Sequence, residues 1–169
     1  PPVSTLSVPS GDYTAVFSVS IACDDGAGSG CAGTYYTTDG SLPTAASTAY
    51  SQPIEISGSA TLRYFSVDAL GNSEVPQTAT YALDVVPPVT SASLAGGYYQ
   101  TPQQVSLTCV DSDSGCAATY FTTDGTPPTT SSPLYTAPIN VTGNSTTIRF
   151  FSTDAFGNAE AFKVETYGI

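Results

Sequence analysis

An internal duplication constrains the fold of this chain more than any other feature of its sequence. The opening Pro-Pro-Val recurs 86 positions later at residues 87–89, and Cys23 recurs at the same spacing as Cys109. Repeats of solenoids and propellers have periods of roughly 20–50 residues, so a period this long is a whole domain. We therefore predict two homologous domains, 1–84 and 85–169, with a short linker at 84–88 that is stiffened by proline.

The pattern of each repeat predicts strands. The chain has 13 prolines and 15 glycines, too many for long helices, and it lacks helical periodicity. Apolar and polar residues alternate along 17–23 and 105–109, as in strands with one buried face. Further strands are expected at 34–38, 54–56, 61–67 and 78–83, and at 139–141, 147–153 and 164–169. Six or seven short strands per repeat predict an all-β chain of two tandem immunoglobulin-like β-sandwich modules.

The four cysteines predict one disulfide in each repeat. Three pairings are possible in principle. Cys23 with Cys31 and Cys109 with Cys116 are favoured because each pair encloses an equivalent short loop, whereas other pairings would tie two separate cores together. Zinc is disfavoured because the chain has no Cys-x-x-Cys spacing and no histidine. Disulfides in turn predict an oxidising compartment, extracellular or at the cell surface.

Charge and hydropathy exclude two classes of partner. The formal net charge is −11, from 14 acidic and 3 basic residues. Nucleic acid is therefore not expected as a partner, because its phosphates require clustered lysine and arginine. No apolar run approaches about 18 residues, so membrane insertion is not expected either. No signal peptide is recognisable, and we expect a mature or excised segment of a longer protein.

Four aspartates stand beside turn glycines in matching positions of the two repeats. Paired carboxylates are also what glycosidases use. A carboxylate next to a turn glycine, however, readily accepts backbone N–H groups, and the chain has no histidine or tryptophan. We therefore predict structural turns and no enzymatic activity. The turn residues are Asp39, Gly40, Asp68, Gly71, Asp124, Gly125, Asp154 and Gly157.

The cysteine loops raise the possibility of calcium. Asp111 and Asp113 stand two residues apart in the second loop, and Asp24 and Asp25 are adjacent in the first. Carboxylates in a loop closed by a disulfide are suitable oxygen ligands for Ca²⁺. The two loops do not repeat one pattern, so solvated turn acids are the alternative, with Asp84 in the linker a weaker candidate ligand. No cofactor is required in either case.

Exposed tyrosines are the candidates for carbohydrate binding. Their flat apolar rings can stack on sugars. Tyr13, Tyr98 and Tyr99 lie in glycine-flanked segments before the first inner strands, although most of the 11 tyrosines are expected in the core.

An ordered set of short motifs resembles the chitobiase/β-hexosaminidase C-terminal type of repeat. In the first repeat the motifs are Tyr35-Tyr-Thr-Thr-Asp-Gly-Ser-Leu-Pro43, Tyr50, Pro53-Ile54 and Asp68-Ala-Leu-Gly-Asn72. The second has Tyr120-Phe-Thr-Thr-Asp-Gly-Thr-Pro-Pro128, Tyr135, Pro138-Ile139 and Asp154-Ala-Phe-Gly-Asn158. The resemblance implies an immunoglobulin-type sandwich of the kind found in bacterial secreted glycoside hydrolases and large surface proteins. It implies no catalytic residues.

These observations favour a structural or spacer tandem of an extracellular protein, whose partners are neighbouring modules or copies of itself. One alternative is a polysaccharide-binding accessory module of a secreted glycoside hydrolase. Another is self-assembly, in which residues 3–8 add as a strand to a neighbouring sheet edge. The sequons Asn140-Val-Thr142 and Asn144-Ser-Thr146 have no counterparts in the first repeat, and we expect them to be coincidental in a bacterial protein.

Overall fold

The chain forms two compact units, each with its own core. The structure is a computed structural model that describes residues 1–169. Contacts divide the chain into Pro1–Val85 and Val86–Ile169, beside the boundary expected at 84/85. The structure contains strands and no helix, which confirms the all-β prediction. None of its elements is therefore a helix that could cross a membrane.

The first unit has nine strands. They are β1 Val3–Leu6, β2 Gly11–Tyr13, β3 Phe17–Val19, β4 Ile21–Asp24, β5 Cys31–Thr37, β6 Thr48–Ala49, β7 Ile54–Ile56, β8 Ala60–Asp68 and β9 Gln77–Leu83. The main sheet has the order β2-β9-β8-β5-β6, and β1-β4 and β3-β7 form two separate pairs. All pairings are antiparallel except that of β2 with β9, which is parallel.

The second unit repeats this arrangement with eight strands. They are β10 Val89–Ala92, β11 Gly97–Tyr98, β12 Gln103–Val105, β13 Leu107–Val110, β14 Cys116–Thr122, β15 Ile139–Val141, β16 Thr146–Asp154 and β17 Lys163–Gly168. The main sheet has the order β11-β17-β16-β14, with the pairs β10-β13 and β12-β15. The counterpart of β6 is reduced to a single bridge between Tyr120 and Leu134.

Alternating apolar residues build a separate core in each unit. In the first, the buried residues include Val19, Ile21, Ile54, Ile56, Leu62, Tyr64, Ala79 and Tyr81. In the second, they are Val105, Leu107, Ile139, Val141, Ile148, Phe150 and Tyr167. Full burial of one such side chain contributes about 1.5–3 kcal/mol. Cores of seven or eight such residues are modest, which gives a covalent crosslink a useful role.

The predicted continuous strand 17–23 is interrupted at Ser20. Its first half, β3, pairs with β7, whereas its second half, β4, pairs with β1. The amide of Ser20 donates to Ser7 Oγ at 2.8 Å, and the amide of Ser7 donates to the Ser20 carbonyl at 3.0 Å. The alternation of side chains continues through the break, so the sequence pattern does not reveal the change of partner.

The N-terminal segment is paired within its own unit. β1 forms four residue pairs with β4, from Val3 with Asp24 to Leu6 with Ile21. The strand-addition hypothesis would require this segment to leave β4 before it could join another molecule.

One disulfide lies in each unit, at the positions expected from the sequence. Cys23 is joined to Cys31 and Cys109 to Cys116, with Cα–Cα distances of 6.4 and 6.3 Å. Each bond connects the end of one strand to the start of the next strand in the chain, β4 to β5 and β13 to β14. Cys23 is half-buried, as its inward position in the alternation predicts.

Candidate functional site

The aspartates of the two Asp-Gly turns bind their own turns. Asp39 Oδ1 accepts the amide of Ser41 at 2.9 Å and its hydroxyl at 2.6 Å. Asp124 Oδ1 accepts the corresponding groups of Thr126 at 3.0 and 2.7 Å. These hydrogen bonds, the side-chain one first, lower the pKa of both carboxyls below the usual 3.8. The glycine that follows has φ of 80° in each turn, a conformation that favours glycine.

Asp68 and Asp154 organise a second pair of turns. Asp68 is buried at 4% exposure, and its Oδ1 accepts the amides of Leu70 at 3.0 Å and Asn72 at 2.8 Å. Its Oδ2 accepts the Asn72 side-chain amide at 2.8 Å, and this hydrogen bond is the main reason that the Asp68 pKa is lowered. Asp154 makes the same set of bonds with Phe156 and Asn158.

Gly71 and Gly157 have φ of 85° and 95°, and they let these turns reverse the chain. The oxygens of these buried carboxylates are thus occupied by donors of their own turns, as the structural interpretation of the turn acids predicts. Both aspartates therefore have a structural role, which is to hold their turns.

In the first cysteine loop the acids serve as turn acceptors. Asp24 Oδ1 accepts the Gly26 amide at 2.7 Å, and Asp25 Oδ2 accepts the Gly30 amide at 2.9 Å. Neither residue belongs to a group of three acidic or cysteine side chains close enough to share an ion. The amide of Asp84, the weaker candidate, donates to the Tyr13 carbonyl at 3.1 Å.

In the second cysteine loop Asp111 and Asp113 do not converge on one point. Asp111 Oδ1 accepts the amides of Asp113 at 3.0 Å and Gly115 at 2.7 Å, while Asp113 is exposed. Asp111 Oδ2 is buried without a hydrogen-bond partner. Asp111 and Asp154 each offer a carboxylate oxygen, and these two oxygens lie within 4.8 Å of each other. Ca²⁺ takes six to eight oxygens, and calcium binding stays a prediction.

A buried hydroxyl and carboxylate network was not predicted from the sequence. In the first unit Ser66 Oγ lies 2.6 Å from Ser4 Oγ and 2.6 Å from Thr34 Oγ1. Glu74 accepts the Ser4 hydroxyl and amide through its two oxygens, and its Oε1 also accepts the Ser66 amide at 2.8 Å. The network joins β1, β5, β8 and the segment before β9, and its polar groups satisfy one another.

The second unit repeats the network with Thr90, Thr119, Ser152 and Glu160. Lys163 adds an ion pair there, with its Nζ 3.2 Å from Glu160 Oε2. The available sequence signal was recurrence, because Ser66 and Glu74 recur unchanged 86 positions later. Recurrence alone does not say that residues so distant in sequence meet in the fold.

The three candidate tyrosines have different surroundings. Tyr13 donates its hydroxyl to the Pro9 carbonyl at 2.8 Å, and its ring centroid lies 4.3 Å from that of Phe17. Tyr99 donates to the Ala95 carbonyl at 2.7 Å. Both side chains are half-buried and pack on their cores. Tyr98 is exposed at 95%, so it alone of the three offers its ring freely to a ligand.

Two other tyrosines are anchors inside the cores. Tyr81 and Tyr167, exposed at 1% and 0%, donate their hydroxyls to the carbonyls of Val8 at 2.8 Å and Leu94 at 2.7 Å. Burial is the main cause that raises the pKa of each phenol to about 12. These hydroxyls hold the chain before β2 and β11 against the core, which is a structural role.

The fold and these sites define a class of protein, a tandem of immunoglobulin-like β-sandwich modules. The sequence profile of the chitobiase/beta-hexosaminidase C-terminal domain matches residues 8–80 and again residues 94–164. The chain therefore belongs to this family and contains two copies of its domain. No curated protein sequence matches the chain.

The chain is also similar to solved structures. One is described as fibronectin(III)-like modules of Clostridium thermocellum CbhA; it is 13% identical, with a TM-score of 0.48 and coverage of 99% of this chain and 94% of that one. Another is the D00-D0 domain of intimin, 10% identical, with a TM-score of 0.47 and coverage of 99% and 100%.

Proposed function

We propose that the chain is a non-catalytic spacer tandem of an extracellular protein. The observation that carries the proposal is the position of the two chain ends in each unit. In the first unit Val3 pairs with Asp24, and Cys31 pairs with Asp68, so the N-terminal strand begins at the Asp68 end of the sandwich. β9 finishes beside Ala60, which pairs with Tyr81. The chain therefore begins and ends at opposite ends of the unit.

The second unit has the same arrangement. Val89 pairs with Val110 at the end where Cys116 meets Asp154, and β17 finishes beside Thr146. β8 and β16, which run between the two ends, have nine residues each, or about 26 Å at roughly 3.3 Å per residue. A module with its ends so placed adds length to a chain, which is what a spacer requires.

The pairing of the strands near the two ends of each unit suits such a module for tension. A pull on the N-terminal side is carried first by β1 along its pairing with β4, or by β10 along its pairing with β13. It then reaches β2 or β11, which is parallel to the last strand of the unit, β9 or β17. The opposing pull on the C-terminal side draws these two parallel strands in opposite directions along their length. The hydrogen bonds between them are then loaded together in shear, whereas strands that peel apart break their bonds one at a time.

The recurring polar residues support a structural role as well. The turn aspartates and the buried Ser/Thr-Glu network bind groups of their own unit in both repeats. The two disulfides and the family fit an extracellular protein.

Force spectroscopy tests the proposal. The chain is stretched by its two termini at constant speed, first without and then with a reductant. We expect two separate unfolding events. Reduction should lengthen them by about 20–22 and 17–19 Å, because it frees loops of 8 and 7 residues at roughly 3.3–3.6 Å per residue, of which the disulfides already span 6.4 and 6.3 Å.

The control changes only the direction of force. Attachment at the N-terminus and at Leu70, a side chain exposed at 80%, pulls the first unit from two points at its Asp68 end. The strands should then peel, and unfolding should require less force. If terminal pulling needs no more force than this control, the proposed spacer role under tension is wrong.

A further inference from the structure

In the second unit Tyr98 presents almost its whole side chain to solvent. It is exposed at 95%, more than any other large apolar residue of the chain. It lies in β11, opposite Gly168 of β17. Buried and half-buried tyrosines have a structural role because they pack in the core, but the Tyr98 ring does not pack there. Exposed tyrosine rings are suited to binding because they combine a flat apolar body with a polar tip.

The Tyr98 ring lies close to the backbone of Gly168. A Cβ atom on residue 168 would lie 2.6 Å from Tyr98 Cδ1 and 2.7 Å from Cε1, closer than atoms can approach. Gly168 is buried and does not have a positive φ, so the contact with the ring accounts for glycine better than backbone conformation does. The position of the Tyr98 ring therefore depends on the absence of a side chain at 168.

The first unit has the same strands but lacks this arrangement. Asp12 stands at the position of Tyr98, and Ala82 at the position of Gly168. Two further differences lie nearby, where Gly58 corresponds to Asn144 and Ser10 to Gly96. Four differences at one place, in units that otherwise share their turns and networks, indicate a feature specific to the second unit.

The four differing residues of the second unit border a groove with a volume of about 320 Å³. All of its lining residues are uncharged. Beside the Tyr98 ring, the groove is lined by the side-chain amide of Asn144 and the hydroxyls of Ser145 and Thr166. The carboxylate of Glu165 accepts the amide of Gly96, one of the lining residues, at 2.6 Å. A flat ring beside several neutral donors and acceptors matches the chemistry of a neutral sugar, whose C–H face is apolar and whose edges are hydroxyls.

We propose that the groove beside Tyr98 binds a neutral polysaccharide. Tyr98 stacks on a sugar ring, and Gly168 permits the ring position. Asn144, Ser145 and Thr166 lie where they can bond the hydroxyls. Anionic polysaccharides are disfavoured by the net charge of −11. This binding site is independent of the proposed spacer role, because a spacer module can also bind a polysaccharide.

The test uses the whole chain, made in a host without N-glycosylation. NMR signals of the tyrosine rings are followed during titration with neutral oligosaccharides of β-1,4-linked glucose, mannose and N-acetylglucosamine, and with oligogalacturonate as the charged control. We expect a neutral oligosaccharide to shift the NMR signals of the Tyr98 ring. The variant Tyr98→Asp, which has the residue of the first unit at this position, should bind that oligosaccharide about tenfold or more weakly. Gly168→Ala should also weaken binding, because the ring must move.

A gain-of-function variant guards against misfolding of the others. Asp12→Tyr with Ser10→Gly, Gly58→Asn and Ala82→Gly transfers the arrangement to the first unit and should raise the number of oligosaccharides bound per chain from one to two. Binding that survives Tyr98→Asp would overturn the proposal, as would the absence of any shift across the neutral series. The sugar in the groove could instead be a glycan covalently attached to Asn144. If a glycan is found there and the unmodified chain does not bind free oligosaccharide, the proposal of a polysaccharide ligand is wrong.

Discussion

At the scale of single residues, the acidic side chains illustrate how environment decides a role. Asp39 and Asp124 are exposed, yet their turns hold them through hydrogen bonds from Ser41 and Thr126 that lower the pKa of each carboxyl. A carboxyl with a lowered pKa in the folded state stabilises the fold at pH values above its unfolded pKa, near 3.8. That contribution is lost as the pH falls through the lower, folded value.

We therefore expect Asp39→Asn and Asp124→Asn to lower the melting temperature by a few degrees each at pH 7. The difference from the wild type should shrink as the pH falls below about 3.8 and through the lower pKa of the folded state, because the aspartates then become protonated and lose their charge. Thermal melts from pH 2 to 7 measure this. A difference that stays constant across that range would mean that the charge of the turn does not contribute to stability.

The buried network supplies a second prediction at this scale. Ser66 is fully buried and bridges Ser4 and Thr34. Removing its hydroxyl breaks both hydrogen bonds, which costs about 1–3 kcal/mol. Ser4 still donates to Glu74, whereas the half-buried Thr34 hydroxyl loses this partner. Denaturant unfolding of Ser66→Ala, and of Ser152→Ala in the second unit, should show a loss of this size. Ser57→Ala, at an exposed position, should change the free energy of unfolding by less than about 0.5 kcal/mol.

At the scale of elements, alternation and turn residues identified the longer strands, whereas the short strands β1, β2 and β6 were not among those predicted. The strand Ile54–Ile56 has the predicted bounds, β8 is longer than predicted by one residue at each end, and β9 begins one residue earlier. These features are local, so the sequence around each strand is sufficient to reveal them.

The pairing of elements was harder to predict. Nothing near Ser20 indicates that β3 and β4 bind different partners, because strand pairing depends on residues far away in sequence. The same holds for the network, which joins Ser4 to Glu74 across 70 positions. Among the candidate sites, the turn acids were predictable from neighbouring glycines. The distinction of Tyr98 from Tyr99 was not, because it depends on which face of a two-residue strand packs on the core.

The disulfides stabilise these elements by restricting the unfolded chain. Replacing both cysteines of one pair with serine, at 23 and 31 or at 109 and 116, should cost about 2–3 kcal/mol for loops of this length. Denaturant unfolding measures the loss, and non-reducing peptide mapping checks the pairing. A crosslink between Cys23 and Cys109 in the mapped peptides would contradict the assignment.

At the scale of the whole molecule, the duplication means that one folding solution is used twice. Each unit contains its own core, network, turns and disulfide. The two copies differ in the core as well as at the surface. Most core exchanges keep an apolar or aromatic side chain, as with Leu107 for Ile21 and Phe150 for Tyr64, because packing constrains them. Surface exchanges such as Tyr98 for Asp12 are freer to change chemistry, so one copy alone can acquire binding residues.

Separate cores predict that each unit folds alone. Fragments 1–85 and 86–169 should each give a cooperative transition with a free energy of unfolding of about 4–12 kcal/mol, the usual range for this chain length. The reason is that the buried cluster of each unit draws its residues from that unit only. Dispersed amide NMR spectra and calorimetry of the two fragments provide the measurement. A fragment that remains unfolded with its disulfide intact would show that its core needs the other unit, and the duplication would then encode one cooperative domain.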